Sequence, residues 1–147
     1  MSYTYEYPRP ALTVDAIILC EKNKSILLIQ RRNEPFKNLW ALPGGFVDEN
    51  EDIDDAVVRE LEEETSVCGV DLEQFKAYGK FGRDPRAHTV SIVYFGWYDS
   101  SKKARAKDDA LALKWFDINN LPEMAFDHND ILKEFLESKV IDSYFQS

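Results

Sequence analysis

The stretch GFVDENEDIDDAVVRELEEETSV, residues 45–67, joins a glycine turn to the strongest helix pattern in the chain. Segment 48–64 holds ten acidic residues against Arg59, a net charge of −9 that equals the net charge of all 147 residues. Asp52 is a candidate N-cap, and Asp55 three residues later approximates the partner in a capping box. We therefore predict a helix over residues 52 to about 65 with an unusual density of carboxylates.

The angular positions of the side chains suggest why these carboxylates are there. With Ile53 at zero and about 100° per residue, Leu61 of the apolar stripe falls near 80°, while Glu60, Glu63 and Glu64 fall near 340°, 280° and 20°. Three carboxylates turned toward the protein body repel one another and lose hydration, which favours a bound cation. Oxygen ligands without clustered Cys and His favour Mg²⁺ or Mn²⁺ over zinc. The alternative is an ordinary solvent-facing acidic helix.

Other residues of the stretch have the pattern of a scaffold. Arg59 lies one helical turn from both Asp55 and Glu63, so it can pair with either. Glu51 precedes the helix and is placed to reach back to the helix or across to Arg59. The glycines of segment 43–45 permit a tight turn that aims a backbone carbonyl or amide at the same ions.

The bulk composition limits the function classes. The length of 147 residues predicts one domain, and the 44% hydrophobic and 13% aromatic content is typical of a folded globular protein. The acidic balance and the lack of a basic stripe argue against a nucleic-acid partner. Cys20 and Cys68 have no metal-ligand spacing. No signal peptide is visible, and the longest apolar stretch, residues 16–20, is far too short to span a bilayer, so we expect a cytoplasmic protein without a membrane partner.

The pattern along the chain predicts strands interleaved with two helices. Residues 11–20 (ALTVDAIILC) have the pattern of a strand buried on both faces, and residues 25–30 form a hairpin with it. A short apolar segment, 39–42, is stopped by the Pro and Gly residues that follow. Further strands are predicted at residues 75–81, 89–98 and 111–118, and a closing amphipathic helix at residues 129–138. This order predicts the α/β class, with a mixed sheet covered on both faces.

The spacing within residues 45–67 resembles the Nudix box. Gly45, five residues, Glu51, seven residues and the run RELEEETSV (59–67) match eight of nine fixed positions, and Ser66 stands where the family has glycine. The preceding segment LLIQRRNEPFKNLWALPGGFVD, residues 27–48, also resembles Nudix enzymes. The resemblance therefore extends over about the whole chain, residues 1–147.

The Nudix resemblance implies an α/β/α sandwich with a catalytic loop–helix–loop. It also implies hydrolysis of a nucleoside diphosphate linked to another moiety. By position, Glu60, Glu63 and Glu64 would ligate Mg²⁺ (or Mn²⁺) with help from the backbone carbonyl of Gly44. The metal would neutralise the pyrophosphate and lower the pKa of an attacking water.

The remaining residues of the implied site either stabilise the loop and the helix or accept the proton of the attacking water. By position, Glu51 and Arg59 would brace the loop and the helix. The proton acceptor is either a helix carboxylate or an acid of a later loop, with Asp109 and its neighbour Asp108 as candidates; a solvated turn is the alternative. Ser66 costs on the order of 1 kcal/mol if it keeps the left-handed conformation of the family glycine.

Two further resemblances point to the substrate. GRDPRAHTVSIVYFGWY, residues 82–98, resembles ADP-ribose pyrophosphatases, whereas AFDHNDIL (125–132) and ALTVDAIIL (11–19) resemble the Nudix domain of nicotinamide-metabolism regulators. Those regulators carry a DNA-binding winged helix after the Nudix domain. Because this chain is acidic and stops at Ser147, a regulator is the weaker interpretation.

Physical chemistry names candidates for substrate binding. Arg31, Arg83 and Arg86 suit phosphate or ribose oxygens, although Arg83 and Asp84 can equally form a loop salt bridge. Phe36 is a candidate for stacking on adenine, with Phe81 and Tyr78 as alternatives, although such rings more often belong to the core. Structural hydrogen bonds are the expected role of His88 and His128.

Three functions follow. The first is a Mg²⁺-dependent ADP-ribose pyrophosphatase yielding AMP and ribose 5-phosphate. The second is a sensor that binds an ADP-ribose-type ligand without cleaving it. The third is a Nudix hydrolase acting on a nucleoside triphosphate or a sugar nucleotide. The tyrosine-rich residues 2–7 are a candidate surface for a homodimer.

Overall fold

A computed structural model describes residues 2–20, 24–98 and 110–142 of the chain. Within them the elements follow in the order β1 (Ala11–Cys20), β2 (Ser25–Arg31), β3 (Trp40–Ala41), β4 (Gly44–Phe46), α1 (Ile53–Thr65), β5 (Glu73–Tyr78), β6 (Thr89–Trp97), β7 (Ala110–Asp117), α2 (His128–Glu137) and α3 (Lys139–Asp142). No helix of these ranges is long and apolar enough to cross a membrane.

The strands form one mixed sheet. Its order is β3-β2-β1-β6-β5, with β4 added to β1 and β7 added to β2. The β1–β6 pair is parallel, whereas the other pairs are antiparallel. The predicted α/β class and mixed sheet are therefore confirmed.

The sheet is split where the functional residues lie. Strands β1 and β2 pair only at Leu19–Ile26 and Cys20–Ser25, and then diverge. Strand β3 continues along β2, and β4 continues along β1, so the β3–β4 segment fills the widening gap. The split thus brings the start of the acidic stretch against the middle of β1.

Alternate side chains of β1 pack on opposite faces of the sheet. Val14, Ala16 and Ile18 join the core beneath α1, whereas Ile17 and Leu19 join the core beneath α2. All five are completely buried. The strand is therefore buried on both faces, as predicted, and the architecture is the expected α/β/α sandwich.

The start and end of α1 differ in how well the sequence predicts them. Asp52 is the N-cap residue, but its side chain makes no capping hydrogen bond, so the predicted capping box is wrong. The reason is that the Asp55 N–H already donates to the backbone carbonyl of Asp52 at 3.1 Å. At the other end Ser66 has φ 64° and keeps the left-handed conformation that favours glycine.

The loop before α2 is tied to β3. The Ala125 N–H donates to the carbonyl of Trp40 at 2.7 Å, and Met124 forms a bridge with Trp40. This anchoring places Phe126 and His128 beside the split in the sheet.

Candidate active site

A cavity of about 310 Å³ opens at the split between β1 and β2. This is the lower end of the range typical of ligand pockets. Its lining is rich in charge of both signs: the acids are Asp15, Asp48, Glu60, Glu64 and Asp84, and the bases are Arg31, Arg32, Arg83 and Arg86.

The carboxylates of Glu64 and Glu60 meet the two glycines of β4. Glu64 is 7% exposed, and its Oε1 accepts the Gly44 N–H at 2.7 Å. The Glu60 carboxylate lies against Gly45 so closely that a Cβ on that glycine would be 2.5 Å from Glu60 Cδ. A Cβ on Gly44 would in turn lie 2.3 Å from Asp15 Oδ1, so both glycines are required for close approach rather than for the tight turn that we predicted. Burial raises the pKa of Glu60, and Arg59 opposes this effect only in part.

Arg59 connects the loop to the helix. Its Nε and Nη2 donate to the two oxygens of Glu51 at 2.7 and 2.9 Å, and Nη2 also donates to the carbonyl of Phe46 at 3.0 Å. Its Nη1 donates to Glu60 Oε1 at 2.8 Å and to Glu63 Oε2 at 3.1 Å. The contact predicted between Glu51 and Arg59 is thus present. Hydrogen bonds from Arg59 lower the pKa of Glu51 to about 2.

The three glutamates of the predicted metal site do not converge. Glu60 and Glu64 line the cavity, but the Glu63 side chain is 56% exposed and is held by Arg59 outside it. Among the described residues no three His, Cys, Asp or Glu side chains lie close enough together to hold a metal ion. The donor chemistry still fits a hard divalent cation, because Glu60 and Glu64 both offer carboxylate oxygens at the cavity, and the missing Cβ of Gly45 leaves room for the carboxylate of Glu60.

Two arginines share one aromatic ring at the cavity. The guanidinium of Arg31 lies 5.0 Å from the centroid of Phe126, and that of Arg86 lies 5.3 Å from it and 4.9 Å from the centroid of Phe46. Arg86 is paired with Asp84 at 2.8 Å, whereas the Arg31 Nε donates only to the carbonyl of Pro35, at 2.8 Å. Burial lowers the pKa of Arg31, and Arg86 adds to the effect. Arg31 is therefore a half-buried cation that no carboxylate of the described residues contacts.

Arg83 is held differently from its neighbours. Its side chain is only 5% exposed, and Nε and Nη2 donate to the two carboxylate oxygens of Asp127 at 2.9 and 2.7 Å. The alternative of an Arg83–Asp84 salt bridge is wrong, because Asp84 pairs with Arg86. Arg83 therefore lines the cavity, but its guanidinium is already paired with the carboxylate of Asp127.

The aromatic candidates lie away from the cavity. Phe36 packs edge-to-face on Phe126, with ring centroids 5.0 Å apart, and does not line the cavity itself. Phe81 is 80% exposed, and the Tyr78 hydroxyl donates to Glu134 at 2.6 Å. Asp109 and Asp108, the candidate bases, lie outside the described residues.

The histidines make the structural contacts expected of them. His88 Nε2 lies 3.1 Å from the carbonyl of Gly79, and His128 Nδ1 accepts the Leu42 N–H at 3.1 Å. His128 also lines the cavity, as do Asp15 and Phe126, which the sequence analysis did not select. One signal for Asp15 was present: a single acid in the middle of a strand predicted to be buried on both faces.

Comparisons with known proteins place this geometry in a family. A sequence model of the NUDIX domain matches residues 9–137. The chain is 45% identical over 133 residues to an ADP-ribose pyrophosphatase of Methanocaldococcus jannaschii, covering 90% of this chain and 77% of that protein.

Two solved structures resemble the fold closely. One is the NUDIX domain of Shewanella oneidensis NrtR complexed with ADP ribose, with a TM-score of 0.82, 31% identity and coverage of 89% of both chains. The other is a bifunctional NMN adenylyltransferase/ADP ribose pyrophosphatase of Francisella tularensis complexed with AMP and a manganese ion. Its TM-score is 0.76 at 33% identity, covering 90% of this chain and 43% of that one.

Proposed function

The chain belongs to the Nudix hydrolase family, and on that premise we propose that it hydrolyses ADP-ribose with Mg²⁺ or Mn²⁺ as cofactor. The observation that carries the proposal is a single cavity that combines the carboxylates of Glu60 and Glu64 with the stack of Arg31, Phe126 and Arg86. The identity to an ADP-ribose pyrophosphatase and the likeness to an ADP-ribose complex support the same substrate.

The acidic part of the cavity is assigned to the metal. Glu60 and Glu64 would hold it, with the carbonyl of Gly44 and with Glu63 after release from Arg59. When bound, the cation supplies charge neutralisation of the pyrophosphate and a water of lowered pKa. Glu51 keeps Arg59 in place through two hydrogen bonds, so the helix carboxylates stay oriented when Glu63 turns.

The basic part of the cavity is assigned to the phosphates. Within residues 2–20, 24–98 and 110–142 no carboxylate contacts Arg31, and its guanidinium lies over Phe126 and donates to the carbonyl of Pro35. A fixed and partly desolvated guanidinium binds anionic oxygens strongly because little order is lost on binding. Arg86 lies on the same ring and adds a second positive charge, although Asp84 offsets part of it.

The reaction balances with water as the only co-reactant. The water oxygen bonds to one phosphorus as the bond from that phosphorus to the bridging oxygen breaks. ADP-ribose and water thus give AMP and ribose 5-phosphate. The water proton passes to a carboxylate of the site; Asp109 stays a prediction for this role, as does a helix glutamate.

The position of Glu63 gives a sharp test of the metal assignment. If Glu63 leaves Arg59 to join the metal, Glu63→Gln should cut kcat by about 100-fold or more with the fold intact. Glu62→Gln is the matched control, because Glu62 lies next to Glu63 on the exposed face of α1. Equal activity of the two variants would remove Glu63 from the site.

A substrate panel tests the proposed function. Values of kcat/KM for ADP-ribose, a nucleoside triphosphate and a sugar nucleotide would be compared with Mg²⁺ and with Mn²⁺. We expect ADP-ribose to have the highest value. A higher kcat/KM for a triphosphate or a sugar nucleotide would overturn ADP-ribose as the proposed substrate but would still agree with a Nudix hydrolase.

The likeness to the NUDIX domain of NrtR also supports a second candidate, a sensor that binds ADP-ribose without cleaving it. Tight binding without AMP formation by folded protein would favour it. A homodimer, the lack of a nucleic-acid partner and a cytoplasmic location remain predictions.

A further inference from the structure

Three buried polar residues, Ser91, Asp15 and His128, lie at or beside the cavity, and the proposed reaction uses none of them. Ser91, Asp15 and His128 are 0%, 7% and 4% exposed. The Ser91 hydroxyl donates a hydrogen bond to Asp15 Oδ2. Asp15 and His128 both line the cavity. Such buried polar groups are costly unless they are paired, so their exposed edges are candidates for binding substrate.

The protonation of His128 follows from its surroundings. Nδ1 accepts the Leu42 N–H at 3.1 Å, so it carries no proton. Burial lowers the pKa of His128, which keeps the ring neutral at physiological pH. The proton of the neutral ring is therefore on Nε2, and this atom is a hydrogen-bond donor.

The Nε2 donor faces an acceptor that it does not reach. Nε2 lies 4.0 Å from Asp15 Oδ2, which is beyond hydrogen-bonding distance. An oxygen atom placed about 2.8 Å from both atoms would have an Nε2–O–Oδ2 angle of about 90°, which is compatible with two hydrogen bonds at that oxygen. That oxygen must accept from Nε2–H and donate to the carboxylate.

This requirement selects the chemistry of the ligand. An ionised phosphate oxygen has no proton to donate and would be repelled by Asp15, a carbonyl only accepts, and an ammonium group only donates. A hydroxyl, of a sugar or of a water molecule, does both. The carboxylate is also fixed before binding, because Ser91 holds Oδ2 and Gly44 lies against Oδ1.

We propose that Asp15 and His128 bind one sugar hydroxyl of the substrate and make the enzyme selective for it. This inference rests on the proposed function, because it specifies how the same cavity recognises the sugar beside the pyrophosphate. Either ribose of ADP-ribose can supply the hydroxyl. The two residues are specificity determinants and take no part in bond breaking.

The first test uses the unmodified protein. Analogues of ADP-ribose that each lack one hydroxyl, on the adenosine ribose or on the terminal ribose, are compared by kcat/KM. We expect one deletion to lower kcat/KM by about 10- to 100-fold, because it leaves Nε2–H without an acceptor and removes one donor from Asp15. The analogue affected identifies the ring. Equal values for all analogues would overturn the proposal, whether or not any variant of the protein folds.

Two substitutions of His128 separate recognition from structure. His128→Asn keeps an acceptor near the Nδ1 position for Leu42 but loses the distant donor, whereas His128→Gln keeps a donor near the Nε2 position. We expect His128→Asn to lose the selectivity for the critical hydroxyl and His128→Gln to retain more of it. The opposite order would mean that only the Leu42 contact matters and would overturn the proposal.

The remaining outcomes are also distinct. A loss of kcat that is equal for all analogues in both variants would place a water at the pair and overturn the sugar assignment. If wild-type protein produces no AMP from ADP-ribose, the proposed function fails. If it produces AMP but shows no selectivity among the analogues, only the present inference fails.

Discussion

Replacing Gly45 with alanine should separate activity from stability. Gly45 lies in β4 opposite Val14, and its φ is outside the left-handed region, so the backbone accepts alanine. The new Cβ would lie 2.5 Å from Glu60 Cδ and 2.5 and 2.6 Å from its two oxygens. Because carbon atoms in contact lie about 3.5 Å apart, the carboxylate has to move by about 1 Å.

The magnitudes follow from this displacement. A misplacement of about 1 Å in an active site costs about 100-fold in rate, so we expect kcat/KM for ADP-ribose to fall by about that factor. Only the end of a flexible side chain has to yield, so the unfolding free energy should fall by less than about 1 kcal/mol, or about 2–4 °C in Tm. Gly79→Ala is the control, since its Cβ meets only Val90 side-chain carbons, the nearest at 3.3 Å.

Steady-state kinetics and thermal denaturation followed by circular dichroism provide the two readouts. Gly79→Ala should retain wild-type kcat/KM. If Gly45→Ala stays within about threefold of wild type in kcat/KM, the position of Glu60 does not matter and the reasoning is refuted. A large fall in Tm would likewise show that the backbone, and not the carboxylate, absorbs the new atom.

Three other predictions concern the same stretch. Burial raises the pKa of Glu60, so at a pH above that pKa the charged carboxylate is less favourable in the folded protein than in the unfolded chain. We therefore expect Glu60→Gln to abolish turnover, while the Tm of the metal-free protein at pH 7 stays equal or rises. A clear fall in Tm would contradict this. Arg59 lowers the pKa of Glu51 from 4.5 to about 2, so the stabilisation of the fold by ionised Glu51 is present above pH 4.5 and is lost as the pH falls toward 2. Across this pH range the Tm of Glu51→Gln should therefore fall less steeply than that of wild type. Ser66→Gly should raise stability by up to about 1 kcal/mol without changing kcat/KM, because Ser66 has φ 64°; a lower Tm would mean that the hydroxyl contributes more than the strain costs.

The parts of the site that the sequence predicts are those that depend on local spacing. Helix α1 follows from the periodicity of its apolar residues, and the Arg59–Glu51 contact joins residues only eight positions apart. The helical angle also predicts the burial of Glu64. The same angle placed Glu63 at the edge of the stripe, where pairing with Arg59 turned it outward.

The parts that the sequence does not predict depend on distant partners. Two consecutive glycines indicate a turn, yet Gly44–Phe46 is a strand because Thr13–Asp15 pairs with it. Arg83 has Asp84 beside it in sequence but pairs with Asp127, 44 positions away. Asp15 and His128 come together only when β1 and α2 are packed, so neither residue by itself suggests the pair.

The central claim, that this Nudix chain cleaves the pyrophosphate of ADP-ribose, is tested most directly by measuring the products. Folded protein would be incubated with ADP-ribose and Mg²⁺ or Mn²⁺, and AMP and ribose 5-phosphate would be separated and quantified, with a chelator in a parallel sample. We predict equal amounts of both products with the metal and none with the chelator. Intact ADP-ribose after incubation with either metal would contradict the claim.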